Sequence, residues 1–498
     1  MIYSRVAALV LLISPLLSAD TTYVAVDGDD AGPGTLDQPY STLTRAVQGV
    51  APGDVIFMRG GLYACDGTIY ISKSGKADSL ITIAAYPGEV PVLDFEAGGT
   101  GSTARGIALD SNYWHLRGLV IQRAGDNGLY VSGEHNLVER VTTRYNQDSG
   151  LQLHTGAAFN RVVRCDSYLN YDPANHGENA DGFAAKFDLG PGNEFVECRA
   201  WNNSDDGWDF WNAGNGVSVT DCWAFRNGVD IWGEGEFFQG DGNGFKLGKG
   251  AGAHTLIRCL AFDLPHHGID VNGNQTGVEV FNSTCYRNQG RNFYFDEDTS
   301  SHVLRNNLSY DAHVNIYPNI DDAYNSWNGF AVTAADFVSL DTTGVSGPRE
   351  ADGRLPQLDF LHLAVGSSLI DAGIDVGQPF EGPAPDLGYV EYSSPTAIAA
   401  DTPPAPLRFT LYPNYPNPFN PATTISYHLP ARADITLRVY DLRGREIATL
   451  VAGNRPAGTH TVNWHGRDHH GLPVPSGVYV ARLEMVGSSA VVRMLLLK

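Results

Sequence analysis

The chain has 498 residues, 43% of them hydrophobic and only 18% charged, with 56 glycines and a formal net charge of −23. That length exceeds one ordinary compact domain, and a glycine-rich, charge-poor composition fits many short strands joined by tight turns, not a helical or a disordered protein. The negative charge excludes nucleic acid and anionic membrane as partners, because both would be repelled, and it sits badly with an acidic polysaccharide unless a divalent cation held by carboxylates meets that polymer.

The N-terminus carries Arg5, an apolar run over residues 6–17 with one proline, and the small pair Ser18-Ala19. This pattern predicts a secretory signal peptide over residues 1–19, and hence a secreted protein, extracellular or attached to the cell surface. No later stretch reaches the roughly 18 apolar residues that a membrane span needs. The expected product is an exported monomer without a transmembrane segment.

Residues 20–392 are expected to form one long domain. In its entry region Gly32-Pro33-Gly34 and Pro52-Gly53-Asp54 mark turns, residues 40–50 have the spacing of a short capping helix, and residues 55–58 and 81–83 read as first strands. From Gly106 the chain becomes periodic. Strand-opening glycines recur at Gly106, Gly128, Gly150, Gly182, Gly207, Gly244 and Gly268, with the two longer steps, after Gly150 and after Gly207, holding loops. A short-strand repeat of this length without a helical pattern is the signature of a parallel β-helix. Each glycine is followed by an apolar, variable, apolar triplet, so Leu129/Val131, Leu151/Leu153, Phe183/Ala185, Trp208/Phe210, Phe245/Leu247 and Ile269/Val271 are expected to form two inward stacks.

Six cysteines in an exported chain ordinarily suggest disulfides. Here Cys165, Cys198, Cys222, Cys259 and Cys285 fall at similar distances after their glycines, which predicts one interior column of thiols. Cys65 stands outside that column and is expected to be buried.

After residue 310 the period fades into closing coils and a loop-rich cap. Residues 393–407, rich in Pro, Ala, Ser and Thr, read as a linker. Residues 408–498 are expected to be a separate β-sandwich, with alternating strands at Ile435-Thr436-Leu437-Arg438-Val439-Tyr440 and Val478-Tyr479-Val480-Ala481-Arg482-Leu483.

The chemistry lies in three consecutive blocks of the repeat: Asp181-Gly182-Phe183-Ala184-Ala185-Lys186, Ser204-Asp205-Asp206-Gly207-Trp208-Asp209 and Asn243-Gly244-Phe245-Lys246-Leu247-Gly248. Asp181 and Asp206 share one register position on adjacent coils, about 4.8 Å apart, and Asp209 faces outward on its strand. Asp-Gly is an ordinary turn sequence, but two in register beside Asp209 predict convergence of Asp181, Asp205, Asp206 and Asp209 on one cation. An all-carboxylate, flexible site suits Ca²⁺ better than Zn²⁺ or Mg²⁺. Lys246 falls in the outward column of Asp209, one coil on. A lysine beside a divalent cation is expected to have a lowered pKa and to serve as general base, against the plainer reading of a structural ion pair. With a cation on a substrate carboxylate, abstraction of the adjacent proton leads to β-elimination, a lyase reaction on an acidic polysaccharide. His154, Lys186 and Trp211, four residues after their glycines, form a neighbouring outward column read as substrate-binding.

These blocks closely resemble polysaccharide lyase family 9, the pectate and exopolygalacturonate lyases, and the likeness extends over residues 22–391. The resemblance implies a right-handed parallel β-helix, calcium-dependent cleavage of polygalacturonate, calcium ligands at Asp181, Asp205, Asp206 and Asp209, and a catalytic lysine at Lys246. Lys249 departs from the small residue expected there. The tail, through Tyr412-Pro413-Asn414-Tyr415-Pro416-Asn417-Pro418-Phe419-Asn420-Pro421 and its closing Arg493-Met494-Leu495-Leu496-Leu497-Lys498, resembles the C-terminal sorting domain of type IX secretion. Its Asp441-Leu442-Arg443-Gly444-Arg445 segment resembles the Ig-like domain of flagellar hook-capping proteins. That resemblance implies an export machinery as partner and surface attachment. Rhamnogalacturonan lyase, glycoside hydrolase and non-catalytic adhesin stand as alternative readings.

Overall fold

In the computed structural model the described residues are 19–296, 302–393, and 409 onward except 412–413, 415–418, 430–431, 442, 457, 486–487 and 497–498. The expected signal peptide except Ala19, the linker except Ser393, and most of the 412–421 motif lie outside them. The chain divides into two compact units: Met1–Asp341 with Gly353–Leu355 and Asp359–Tyr392, and Thr342–Asp352 with Pro356–Leu358 and Ser393–Lys498.

The first unit is a right-handed parallel β-helix of three sheets, one of twelve strands and two of ten among the described residues, in which each coil from Val55 to Ile316 adds one strand to each sheet. One coil runs Leu151–Leu153, Arg161–Val163, Asp166–Tyr168, and the next begins at Phe183–Ala185. The opening glycines set this stacking. A Cβ at Gly182 would lie 2.5 Å from the Ala200 Cβ and 2.8 Å from the Gly207 carbonyl oxygen, so only glycine lets consecutive coils meet there. The two predicted inward stacks are present and fully buried, with the Trp208 ring between Phe183 and Phe245 at centroid distances of 4.9 and 4.8 Å. At the entry, the helix Leu43–Gly49 is capped by the Thr42 hydroxyl, which accepts from Arg45 N, and it buries Leu43, Ala46 and Val47 over the first coils.

The cysteines carry thiols, none bridged to another, and their column is shorter than expected. Cys165, Cys198 and Cys222 are linked by backbone N–H donation to the next sulfur at 3.3–3.4 Å, and Cys259 N donates to Ser283 Oγ at 3.1 Å. Ser283 therefore holds the fifth place. Cys285 pairs with Ala261 in the neighbouring interior column, because two residues along a strand return to the same face. Cys65 is half-buried instead of fully buried.

Two ladders of buried polar side chains run beside the apolar stacks. Asn146, Asn170 and Asn203 each donate backbone N–H to the side-chain oxygen of the next member, ending at Asn227, with distances of 3.1–3.3 Å. Asn136 and Asn160 do the same towards Asn193 at 2.9–3.2 Å, and in a later coil His254 takes the equivalent role, its Nδ1 accepting from Val217 N at 3.1 Å.

The second unit holds two antiparallel sheets. One contains Thr410–Leu411, Thr423–Leu429 and Gly458–Trp464; the other orders Glu446–Arg455, Ala433–Asp441, Gly477–Met485 and Ser488–Leu496. Leu437, Val439, Ala481, Leu483, Met494 and Leu496 form part of its own core.

Candidate metal centre and active site

Three successive coils build the centre. Gly182 N donates to Asp206 O and Gly207 N to Asn243 O, both at 2.9 Å, which aligns Asp181, Asp206 and Asn243 just ahead of their strands. On the strands themselves Ala184 pairs with Asp209, and Asp209 with Lys246. Asp181, Asp205, Asp206 and Asp209 are all withdrawn from solvent.

The four expected ligands do not form a single group. Ligand oxygens of Asp181, Asp206 and Asp209 lie within 4.8 Å of one another, and Asp206 also joins a second triad with Asp205 and Asp241. Asp205 is turned to the far side of Asp206 because its oxygens are engaged by backbone donors, Asn179 N at 2.9 Å and Asp241 N at 2.7 Å. Ser149 Oγ donates to Asp181 at 2.9 Å, and Asn243 donates to Asp206 from N at 2.7 Å and Nδ2 at 3.0 Å.

Two lysines face these five carboxylates. Lys186 Nζ lies 2.8 Å from both Asp181 Oδ2 and Asp209 Oδ2, and Lys246 Nζ lies 3.0 Å from Asp206 Oδ2 and 2.7 Å from Asp241 Oδ2. Carboxylates outnumber ammonium groups, and the electrostatics follow. Burial pushes the Asp206 carboxyl up to about 7, with Asp181 and Asp209 adding to the rise and Lys246 opposing it. Burial and then Asp206 and Asp181 drive Asp205 well above the carboxylate range. Burial draws the Lys246 ammonium down, yet Asp206, Asp209, Asp205 and Asp241 together outweigh it and hold that lysine above its ordinary range. The lowering expected for Lys246 presupposes a cation; among these side chains alone the direction is opposite.

The residues fit a hard divalent cation. Every donor is a carboxylate oxygen, the negative charge exceeds what the lysines compensate, and the buried Asp206 Oδ2 makes no well-directed hydrogen bond.

The predicted substrate-binding column is aligned only in its backbone. His154, Lys186 and Trp211 follow register pairs on consecutive coils. Their side chains diverge. His154 sits between Tyr130 and Phe187, with ring centroids 5.1 and 4.9 Å away, and burial with help from Arg105 lowers its pKa. Lys186 bends into the aspartates. Trp211 lies under Lys249, whose Nζ is 4.7 Å from the ring centroid, which gives that unexpected lysine a partner.

Asp241 escaped the sequence reading. It lies in an Asp-Gly turn of the long excursion between Gly207 and Gly244, outside the repeat on which the other ligands were found. Ser149 and Asn243 were within reach of that reading, because each stands one residue before an opening glycine, as Asp181 and Asp206 do. The two long loops pack together beside the centre: the Tyr171 and Trp232 rings stack at 4.8 Å, and His176 Nδ1 meets Glu234 Oε2 at 3.0 Å.

Residues 22–332 match the family described as "Pel9A-like, right handed beta helix region", and residues 420–488 match the FlgD Ig-like domain. Pectate lyase L of Dickeya dadantii (strain 3937) is 39% identical over 384 residues, 74% of this chain and 90% of that protein. Pectate lyase PEL9 of Emericella nidulans is 34% identical over 398 residues, 72% of this chain and 95% of that protein. Among solved structures, pectate lyase Pel9A is similar with a TM-score of 0.70 and 38% identity, covering 76% of this chain and 97% of that one. A rhamnogalacturonan lyase is similar with a TM-score of 0.63 and 25% identity, covering 70% of this chain and 97% of that one.

Proposed function

This chain belongs to the Pel9A-like right-handed β-helix family, and we propose that it is a pectate lyase that cleaves polygalacturonate by β-elimination, with calcium as cofactor and Lys246 as general base. The observation that carries the mechanism is the pairing of Asp209 with Lys246 on adjacent strands, beside a buried carboxylate triad.

Asp181, Asp206 and Asp209 would hold the ion, with Asp205 behind Asp206. Bound calcium would supply positive charge against a uronate carboxylate, acidifying the proton on the adjacent carbon and stabilising the negative charge that develops there. Lys246 Nζ takes that proton. The electron pair of the broken C–H bond forms a double bond to the neighbouring carbon, and the bond from that carbon to the glycosidic oxygen breaks, the oxygen leaving with that bond's electron pair and taking a proton from water. Asp241 Oδ2, 2.7 Å from Nζ on a half-exposed side chain, offers the ammonium a route for returning its proton to solvent. Asp205 ties the Asp241 loop to the Asn179 turn, which fixes the base relative to the carboxylates.

The deciding experiment is ultraviolet absorbance of the unsaturated product on de-esterified polygalacturonate, with and without a chelator. A product without that absorbance would favour a hydrolase, and no product an adhesin. The similarity to a solved rhamnogalacturonan lyase supports a second reading within the same chemistry, resolved by offering that backbone beside polygalacturonate. Secretion is proposed from the N-terminal apolar run, and export with surface attachment by type IX secretion from the tail motifs carried with the Ig-like domain.

A further inference from the structure

Lys186 and Ala184 both face outward on the strand Phe183–Ala185 and its continuation, and Ala184, which pairs with Asp209, is fully buried although it points away from the core. To reach Asp181, which precedes that strand, the Lys186 stem must run back over residue 184. An alanine there leaves the path open. The ammonium ends 2.8 Å from Asp181 Oδ2 and 2.8 Å from Asp209 Oδ2, with 11% of the side chain exposed. It thereby joins carboxylates from two adjacent coils, and both belong to the triad that would hold the cation. Lys246 spans the other pair, Asp206 and Asp241. A side chain that Lys186 buries this deeply between two carboxylates has no ammonium to offer a polymer in solvent.

We infer that Lys186 is the resident counter-ion of the carboxylate cluster: it holds Asp181 and Asp209 together when no metal is bound, and it weakens the site for calcium by the repulsion of its own charge. It is a positioning residue, not a substrate contact. The inference rests on the calcium reading above. It explains how Asp181, Asp206 and Asp209 can be packed before an ion arrives, since three unneutralised carboxylates within 4.8 Å would push the coils apart.

The test is calcium titration by calorimetry together with thermal unfolding, with and without calcium, on the full chain and on Lys186→Met and Lys186→Arg. Methionine keeps the apolar stem and removes the charge. Lys186→Met is expected to bind calcium at least about tenfold more tightly, since removing one positive charge a few ångströms from a divalent ion is worth that much even at the dielectric constant of water, and this site is buried. It should also unfold at a lower temperature without calcium and recover when calcium is added. Lys186→Arg, which keeps the charge, should bind calcium within about threefold of the parent. Calcium binding by Lys186→Met that is unchanged or weaker, or a failure of that variant to fold even with calcium, would overturn the inference. A parent chain that takes up no calcium would instead defeat the reading on which it rests, and the two failures are told apart by the parent titration alone.

Discussion

Lys246 meets two opposing demands, since a base must be neutral to accept a proton while the carboxylates of Asp206, Asp209, Asp205 and Asp241 favour its charged form. Its rate contribution should therefore climb with pH into the alkaline range. Lys246→Ala is expected to lower kcat by about 10²–10⁴-fold or more, and Lys246→Arg to remain poor, because guanidinium stays protonated. A tenth of parental kcat in Lys246→Ala at saturating calcium would end the assignment. Asp209→Ala should lose calcium and activity together while unfolding at nearly the parental temperature, which calorimetry and circular dichroism can check. A different residue contributes to the loss of stability in acid. His254 is fully buried, its Nε2 has no partner, and burial lowers its pKa to about 3. Between that value and the ordinary ~6.5 the unfolded chain binds a proton that the folded chain does not, so stability is complete above about pH 6.5 and declines as pH falls, by on the order of 4 kcal/mol near the lower limit. In His254→Asn, matching the asparagines of earlier coils, the fall in Tm between pH 6.5 and 4 should be shallower. An identical slope would exclude His254 as its source.

A single coil depends on ladders as much as on its apolar stack. Asn170→Ala removes the oxygen that accepts from Asn146 N at 3.1 Å and from Asn146 Nδ2 at 2.9 Å, leaving buried donors unsatisfied at a cost of about 1–3 kcal/mol each. Denaturant unfolding of that variant should show a clear loss of stability. Asn203→Ala should lose a similar amount and, being two residues before Asp205, weaken calcium binding as well; calorimetry of both variants separates the local effect from the general one. The contrast between glycines and ladders also shows where sequence reasoning stops. Opening glycines and apolar triplets are legible because coil contact admits one residue type at the first and period-two burial demands the others. The corners before the ladder asparagines are not. Tyr145, Leu169, Asn202 and Arg226 all adopt positive φ, between 52° and 59°, and they share no chemistry that marks them in advance. Their conformation is imposed by the asparagine that follows and its bonds to the next coil. Cys285 falls outside the expected column for a related reason: glycine spacing fixes which face a residue occupies but not which of two columns on that face.

At the scale of the whole chain, the β-helix was legible because its repeat places each residue by register. Asp181, Asp206, Asp209 and Lys246 could be set beside one another from spacing alone, whereas Asp241, in a loop outside the repeat, and the inward turn of Lys186 could not. The division of labour between the two units leads to a final prediction. The apolar core of the β-helix extends from Val24 to Ile320, and that of the Ig-like unit from Leu411 to Leu496, with no residue in common. Every carboxylate and lysine of the centre comes from residues 181–246. Because coils depend on their neighbours in the stack, the centre draws its support from the coils on either side of it. A chain ending at Ser393 should therefore keep kcat and KM on polygalacturonate within about twofold of the full chain, as expected for domains with separate cores, and the surface attachment proposed above should be lost with the tail. The measurement is steady-state kinetics on the two purified chains at equal calcium, with circular dichroism to establish that the shorter one is folded. A folded, truncated chain with most of its kcat gone would show that the Ig-like unit takes part in catalysis, and the assignment of the reaction to the β-helix alone would fail.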